Sequence, residues 1–408
     1  MTDPGFDRTI DGGGQRALRW MLALYVATAV AVALQRSLGI PPENNFLIFR
    51  ASFEHLRHAQ DLYAAYPAEY SDRFKYSPTF ALLFAPFALP PLVPAFVLWS
   101  TVCALVVFAG VRGVLPAGRA ALALGIAWLA VLGDLQRAQT NALCAGLILV
   151  GWAAMERRRQ SAAAGGIMAG GFIKLFPVAA LAGGIFHPRK ARFALSVAAA
   201  VLIGLALPLL VTHASTLRMQ YASWRAIEAR DAVPLAQYGS GGADLYAGVM
   251  GLFRTWFGVD WPFWPQQLVG IVILLAPLVR GPRAWTAGFR LTFVASILVF
   301  CVLFNHQAES PSYSIAMIGA AVWYAASDRA WWRTVLIAAC LALVNLASTS
   351  LMPTMWYQHY YVRYMLKTVP LVPLWLAMQA ELFGWLGDGR SQIAKVGERE
   401  VAAAQPLD

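Results

Sequence analysis

Apolar residues gather along this chain in blocks separated by short polar stretches. The blocks run roughly over 17–38, 92–111, 119–133, 141–155, 161–173, 177–186, 191–211, 266–279, 286–304, 312–326, 332–350 and 366–386. Many approach the ~20 residues that an α-helix needs to cross a bilayer. The apolar residues are contiguous, without the three-to-four-residue stripe of a soluble amphipathic helix. The pattern predicts an all-α fold, a polytopic transmembrane helical bundle of about 10–12 membrane helices. Blocks 161–173 and 177–186 are short, and the pattern allows one broken unit around Lys174. The stretch TFALLFAPFALPP, 79–91, is apolar but rich in proline. It predicts a segment that enters the membrane without crossing it, which needs protein cover for its backbone.

The polar stretches are of two kinds. One kind is short and basic: Arg157–Arg159, then Arg189, Lys190 and Arg192, then Arg280 and Arg283, then Arg329 and Arg333. Cytoplasmic loops have this composition under the positive-inside rule. The other kind mixes acids, histidines, amides and aromatics. With the N-terminus inside, all of the second kind falls outside: the large loops 39–78 and 212–265, the turn 134–140, the break at Lys174 and the segment 305–311. Residues 1–16 then form a cytoplasmic N-terminal tail, 17–386 the membrane domain and 387–408 a cytoplasmic C-terminal tail. The first block is too long for a signal-peptide core and predicts an uncleaved helix.

Composition agrees with a membrane protein. Of the 408 residues 59% are hydrophobic and 13% charged, about half the charged share usual in soluble domains. The net charge of +11 resides in clusters between apolar blocks, so it predicts topology and no nucleic-acid partner. Cys103, Cys144, Cys301 and Cys340 each fall inside an apolar block. They predict buried thiols and neither a disulfide framework nor a zinc site.

Several outer stretches carry chemistry. In the first outer loop Phe46, Phe49, Phe53 and Leu56 recur at helical spacing, predicting an amphipathic helix over about 46–60 at the interface. Glu54, His55 and His58 lie along it, and Asp61, Tyr63, Glu69, Asp72 and Lys75 follow. The turn DLQRAQTN, 134–141, groups Asp134, Gln136, Arg137, Gln139 and Asn141. These are either helix caps or a polar site. Lys174 lies inside GGFIKLFP. A lysine at the bilayer centre costs about 2.5–3.5 kcal/mol, so it either meets an anion or snorkels to the interface. Gly166 and Gly170 are positions for close helix packing. The aromatic runs 255–265 and 355–364 suit a headgroup belt, or a wall for a lipid tail or sugar ring. The segment NHQAESPSY, 305–313, places His306, Gln307 and Glu309 together between two apolar blocks. A turn does not require that equipment, and Glu309 and His306 could pair with Arg137 or Lys174.

Taken in order, NNFLIFRASFEHL with QDLYAAYP, KYSPTFALLFAPFALP, QRAQTNAL, GGFIKLFP and NHQAESPSYSIAMIGAAVWY resemble glycosyltransferase family 87 of the GT-C superfamily, over roughly residues 40–330. The resemblance implies an integral membrane enzyme with a GT-C-like bundle. It implies a polyprenyl-phosphate sugar as donor, often mannose, a lipid-linked or glycan acceptor, and an active site on the extracytoplasmic side of the plasma membrane. It also implies a catalytic carboxylate in the first outer loop. Asn45 stands where better-known members carry an acid.

A phosphate leaving group calls for cations and hydrogen-bond donors. Arg50, Arg137, Lys174 and His306 are the candidates, with Gln139, Asn141 and Lys75 beside them as substrate-binding groups. A carboxylate must take the proton of the acceptor hydroxyl. Asp61 and Glu309 come first, and Glu43, Glu54 and Asp72 remain open. No cofactor is predicted, since the chain has no DxD cluster and no metal-ligand spacing; a divalent cation is the one addition left open. The competing class is a transporter or flippase of a lipid-linked glycan, which would carry its site at the midplane.

Overall fold

The computed structural model describes residues 4–38, 43–231, 248–259, 261–347 and 352–386. The predicted C-terminal tail, 387–408, lies outside the described residues, as does part of the loop 212–265. The main helices are α1 Pro4–Ser37, α2 Asn44–Arg57, α3 Leu92–Val114, α4 Ala117–Gln136, α5 Asn141–Glu156, α6 Gln160–Ile173 and α7 Lys190–Ala206. They continue with α8 Ala214–Asp231, α9 Phe263–Leu275, α10 Ala287–Leu303, α11 Tyr313–Ala326, α12 Trp331–Cys340 and α13 Leu371–Phe383. Among the described residues five helical segments are long and apolar enough to cross a membrane, and five shorter helices are apolar. Helix α1 starts at Pro4, so it takes in most of the stretch 1–16 that hydropathy assigns to a tail.

The bundle builds outward from two helices buried on nearly every side, α5 and α11. Helix α5 packs between α3 and α6, and α11 between α4 and α10. Helix α1 lies on α3 and α4, while α7 extends the row from α6. Apolar side chains gain nothing from leaving lipid, so close backbone approach must hold such helices together. Gly146 of α5 shows this. A Cβ there would stand 2.8 Å from the backbone of Val106 on α3. Gly166 of α6 meets Gly151 of α5 in the same way, its Cβ position lying 3.2 Å from that backbone. The four cysteines are buried and unpaired within this core.

The predicted break is present. Helix α6 ends at Ile173, Lys174 is extended, and a 3₁₀ helix runs over Phe176–Phe186. The proline-rich stretch forms two short helices, Pro78–Leu83 and Ala85–Ala88. Ser77 caps the first by accepting from the Phe80 N–H. Helix α2 is amphipathic as its spacing predicts, and Phe46, Phe49, Phe53 and Leu56 are buried. Phe46 stacks on Phe96 of α3 at 4.4 Å, and Phe49 meets Phe80 edge-on at 5.1 Å. Such pairs add about 0.5–1.5 kcal/mol each beyond the area they bury.

The two ends of the bundle differ in chemistry. At one end the basic loops pin helices to one another. Arg290 pairs with Glu156 at 2.7 Å, Arg157 donates to the Gly113 carbonyl, and Arg119 donates to the Ala326 carbonyl. Arg333 departs from its expected place in an open basic loop. It is buried between Asp328 and Glu381 with its guanidinium 4.6 Å over Trp332. The first turn of α12 faces inward there, so this cation has a structural role. At the other end lie α2, α8, the turn after α4, the break at Lys174 and the segment 305–312.

Candidate active site

Four helix ends meet beneath the first outer loop: the C-terminal ends of α4 and α6 and the N-terminal ends of α5 and α11. Asp134, in the last turn of α4, is buried there. Its Oδ2 accepts the Ala142 N–H at 2.9 Å. Its Oδ1 accepts from Asn141 Nδ2 at 3.1 Å and from Ser314 Oγ at 3.2 Å. Ala142 and Ser314 belong to the first turns of α5 and α11, whose N-terminal partial charges favour an anion. Asn141 then accepts from Lys174 Nζ at 2.7 Å through Oδ1. The chain of contacts is therefore ammonium, amide, carboxylate, with each polar atom paired. Lys174 follows the last residue of α6, where the carbonyl end of a helix favours a cation.

Tyr76 closes one side of the cluster. Lys174 Nζ lies 5.9 Å from the centre of its ring, and its hydroxyl accepts from Thr140 Oγ1 at 3.4 Å. Burial raises the Tyr76 phenol above its ordinary value, and the positive charge of Lys174 opposes part of that rise. The phenol is thus a neutral hydrogen-bond donor at physiological pH. The negative charge of Glu309 acts on both Tyr76 and Lys174. One side of its carboxylate caps the turn that leads into α11, accepting from the Ser312 backbone while Ser312 Oγ accepts the Glu309 N–H. A second cation stands close by: Lys367 donates to Ser310 Oγ at 2.6 Å and lies 4.9 Å over the ring of Tyr313.

Of the residues singled out by sequence, Lys174 and Asn141 are joined directly, and Glu309 interacts with Lys174 by charge. The others lie elsewhere. Arg50 donates to the Pro90 carbonyl at 2.8 Å and to the Phe87 carbonyl at 3.3 Å, fastening α2 to the proline-rich helices. His306 sits against Gln267 at 3.1 Å and stacks on Phe263, so it faces α9. Among the described residues no ion pair joins His306 or Glu309 to Arg137 or Lys174. Arg137 is exposed at the end of α4, and its carbonyl accepts from Asn45 Nδ2 at 2.8 Å. The Gln139 N–H closes the turn onto the Asp134 carbonyl. Lys75 lies 3.9 Å from Asp72. Asp61 forms an Asx turn, its Oδ1 accepting the Tyr63 N–H at 3.1 Å, while Oδ2 accepts from Ser223 at 3.4 Å.

Sequence reasoning placed Asp134 in the polar turn but not in the site, and it missed Tyr76, Ser314 and Lys367 as site groups. Asp134 gave a usable signal, an acid directly at the end of an apolar block. Tyr76, at the edge of a loop rich in aromatics, gave none.

Residues 74–305 match the family model for glycosyltransferase family 87. That range includes Tyr76, Asp134, Asn141 and Lys174; Asp61 and Glu309 lie outside it. Among solved structures, the crystal structure of ArnT from Cupriavidus metallidurans bound to undecaprenyl phosphate aligns with 94% of this chain and 80% of that one, at 17% sequence identity and a TM-score of 0.36. No curated protein sequence matches the chain.

Proposed function

The chain belongs to glycosyltransferase family 87 and is a multi-pass membrane protein, and from that premise we propose that it moves a hexose from a polyprenyl-phosphate donor to a lipid-linked or glycan acceptor. The proposal places the reaction at the Lys174 end of the bundle, on the extracytoplasmic face of the plasma membrane, with mannose as the sugar. The observation that carries it is the Lys174–Asn141–Asp134 chain between four helix ends. An ammonium has three N–H bonds, and Asn141 engages one of them. Two remain for an anionic oxygen, and a sugar phosphate with its tail in lipid brings such an oxygen to this depth.

In the proposed step the acceptor hydroxyl oxygen bonds to the anomeric carbon as the bond from that carbon to the phosphate oxygen breaks. The electron pair leaves with the phosphate. Lys174 and the Tyr76 hydroxyl stabilise the charge that develops there. The proton of the acceptor passes to Glu309, whose carboxylate shares the electrostatic surroundings of Lys174. Asp61 shapes the loop above. Attack opposite the leaving phosphate gives inversion, by the same reasoning that applies to a base and a leaving group on opposite faces of a sugar ring.

The test uses the purified chain with a panel of polyprenyl-phosphate sugars and a membrane lipid extract, read by mass spectrometry of new glycolipids. The mannose donor is expected to give product. Lys174→Met and Glu309→Gln are each expected to lower turnover at least ~100-fold, the scale of one electrostatic or acid–base contribution. Full turnover by both variants would remove the site assignment. Product from another sugar alone would replace mannose.

A further inference from the structure

Several cations at the basic end of the bundle have partners within the chain. Arg290 pairs with Glu156 and Arg333 with Glu381, and Arg119, Arg157 and Arg280 donate to backbone carbonyls. The turn between the 3₁₀ helix Phe176–Phe186 and α7 differs. Arg189, Lys190 and Arg192 are exposed there, and among the described residues no ion pair or hydrogen bond engages their side chains. With Phe186, His187 and Pro282 they line an open cavity of about 710 Å³, within the ~300–1,000 Å³ usual for small-ligand sites.

The turn that carries these cations is fixed from within. His187 is buried, its Nδ1 accepts the Arg189 N–H at 3.1 Å, and its ring stacks on Phe193 with centres 6.0 Å apart. Phe193 in turn lies against Gly184, where an added Cβ would come within 2.4 Å of its ring. The charges on this turn oppose the helix they begin. Arg189 is the N-cap of α7, Lys190 and Arg192 lie in its first turn, and no acid accompanies them. The unpaired N–H groups of a helix N-terminus carry partial positive charge, which disfavours cations. Arg158 adds to the same field, since its charge and that of Arg189 both act on His187. An anion in the cavity would relieve this repulsion.

Helix α7 indicates what kind of anion. Arg192, Leu195, Ala199 and Leu202 recur at three- and four-residue spacing, so they share one face, and all four are exposed. Leu195 and Leu202 are 70% and 68% exposed. The helix belongs to the most apolar candidate span among the described residues, so this face meets lipid. From Arg192 to Leu202 it rises about 15 Å, half of the ~30 Å hydrocarbon core. A cation therefore stands at the foot of an apolar stripe one leaflet long. We propose that the cavity binds the phosphate of an anionic phospholipid whose acyl chain lies along the Arg192–Leu202 face of α7. Arg189 and Arg192 meet the phosphate with paired donors and Lys190 meets it as a point charge. A soluble anion would use the cations but gain nothing from the stripe. The inference needs α7 to cross a membrane; it needs neither the transferase reading nor a side for the basic end.

The experiment uses the full chain in detergent with a phosphatidylglycerol probe that carries a diazirine on its acyl chain, cross-linked by light and mapped by peptide mass spectrometry. The competitors are unlabelled phosphatidylglycerol, phosphatidylcholine with the same chains, and glycerol 3-phosphate. Cross-links are expected on α7 between Arg192 and Leu202. Phosphatidylglycerol should displace the probe at a concentration at least tenfold below that of phosphatidylcholine, and glycerol 3-phosphate should fail to displace it. Arg189→Gln combined with Arg192→Gln is expected to lower labelling at least tenfold, since each cation beside an anionic headgroup is worth about fivefold. Both side chains are exposed, so the exchange leaves the fold intact. Arg329→Gln, exposed at the same end but outside the cavity, should leave labelling unchanged. Equal displacement by phosphatidylcholine would mean that bulk lipid covers α7 and would overturn the proposal. Displacement by glycerol 3-phosphate would make this a soluble-anion site and overturn it. An equal loss in Arg329→Gln, or cross-links confined to other helices, would reduce the effect to diffuse charge and overturn it as well.

Discussion

A carboxylate as deeply buried as Asp134 persists only where donors surround it, because an unpaired buried charge neutralises itself or disrupts the fold. Three donors reach it: the Ala142 N–H at Oδ2, and Asn141 Nδ2 and Ser314 Oγ at Oδ1. Asparagine has nearly the same shape but one wrong atom. Whichever way its amide turns, its NH₂ faces a donor. Asp134→Asn is therefore expected to cost about 1–3 kcal/mol for the buried group left unmet, read as a lower midpoint of thermal unfolding in detergent. It should also raise the donor KM, because Asn141 loses the contact that orients it toward Lys174. Unchanged stability together with an unchanged donor KM would show that the chain of contacts is not needed. Lys174 was legible in the sequence because a lysine inside an apolar block has few explanations. Ser314 was not, since it meets Asp134 from 180 positions away and a single chain carries no sign of that pairing. Asn45 gained its meaning the same way. Its amide donates to the Arg137 carbonyl, which a carboxylate cannot do.

Helices were legible where one pattern governed them. Phenylalanine spacing predicted α2 within three residues of its ends, and the two short apolar blocks on either side of Lys174 allowed the break after α6. Helix α8 stayed hidden inside the loop 212–265. Its buried side includes Leu217, Gln220 and Ile227, and an amide in the middle of that stripe obscures the apolar period. Gln220 proves to be the clamp of the first outer loop. Fully buried, it donates to the Gln60 carbonyl at 2.6 Å and accepts the Leu62 N–H at 3.0 Å. Leucine would fill the space and leave both backbone groups unpaired. Gln220→Leu is expected to destabilise the loop by about 1–3 kcal/mol per orphaned group. Hydrogen exchange over residues 58–66 should then speed up at least tenfold while exchange in α5 and α11 stays as it was. Equal protection in the variant would mean that the aromatic contacts of Tyr63 and Tyr66 hold the loop without α8.

At the scale of the molecule, the arrangement of ends carries the functional reading. The mixed polar stretches that hydropathy assigns to one side do meet at one end of the bundle, through Lys174 with Asn141, Asn45 with Arg137 and Gln220 with the 60–62 turn. The basic loops pack at the other, through Arg290 with Glu156 and Arg119 with the Ala326 carbonyl. Charge bias in loops sets the orientation of such a bundle, so the basic end should face the cytoplasm and the Lys174 end the exterior. The native cysteines are buried, which gives a low background for labelling single introduced thiols. Asp72→Cys and Arg137→Cys, at exposed positions of one end, should react with an impermeant maleimide added to intact cells. Arg159→Cys, Lys190→Cys and Arg283→Cys, exposed at the other end, should react only after the membrane is opened. If thiols from both groups labelled together in intact cells, the two ends would not be the two faces of a membrane-spanning bundle. An exterior donor site would then lose its basis. If only the basic group labelled, the site would face the cytoplasm, and the donor would have to present its sugar there.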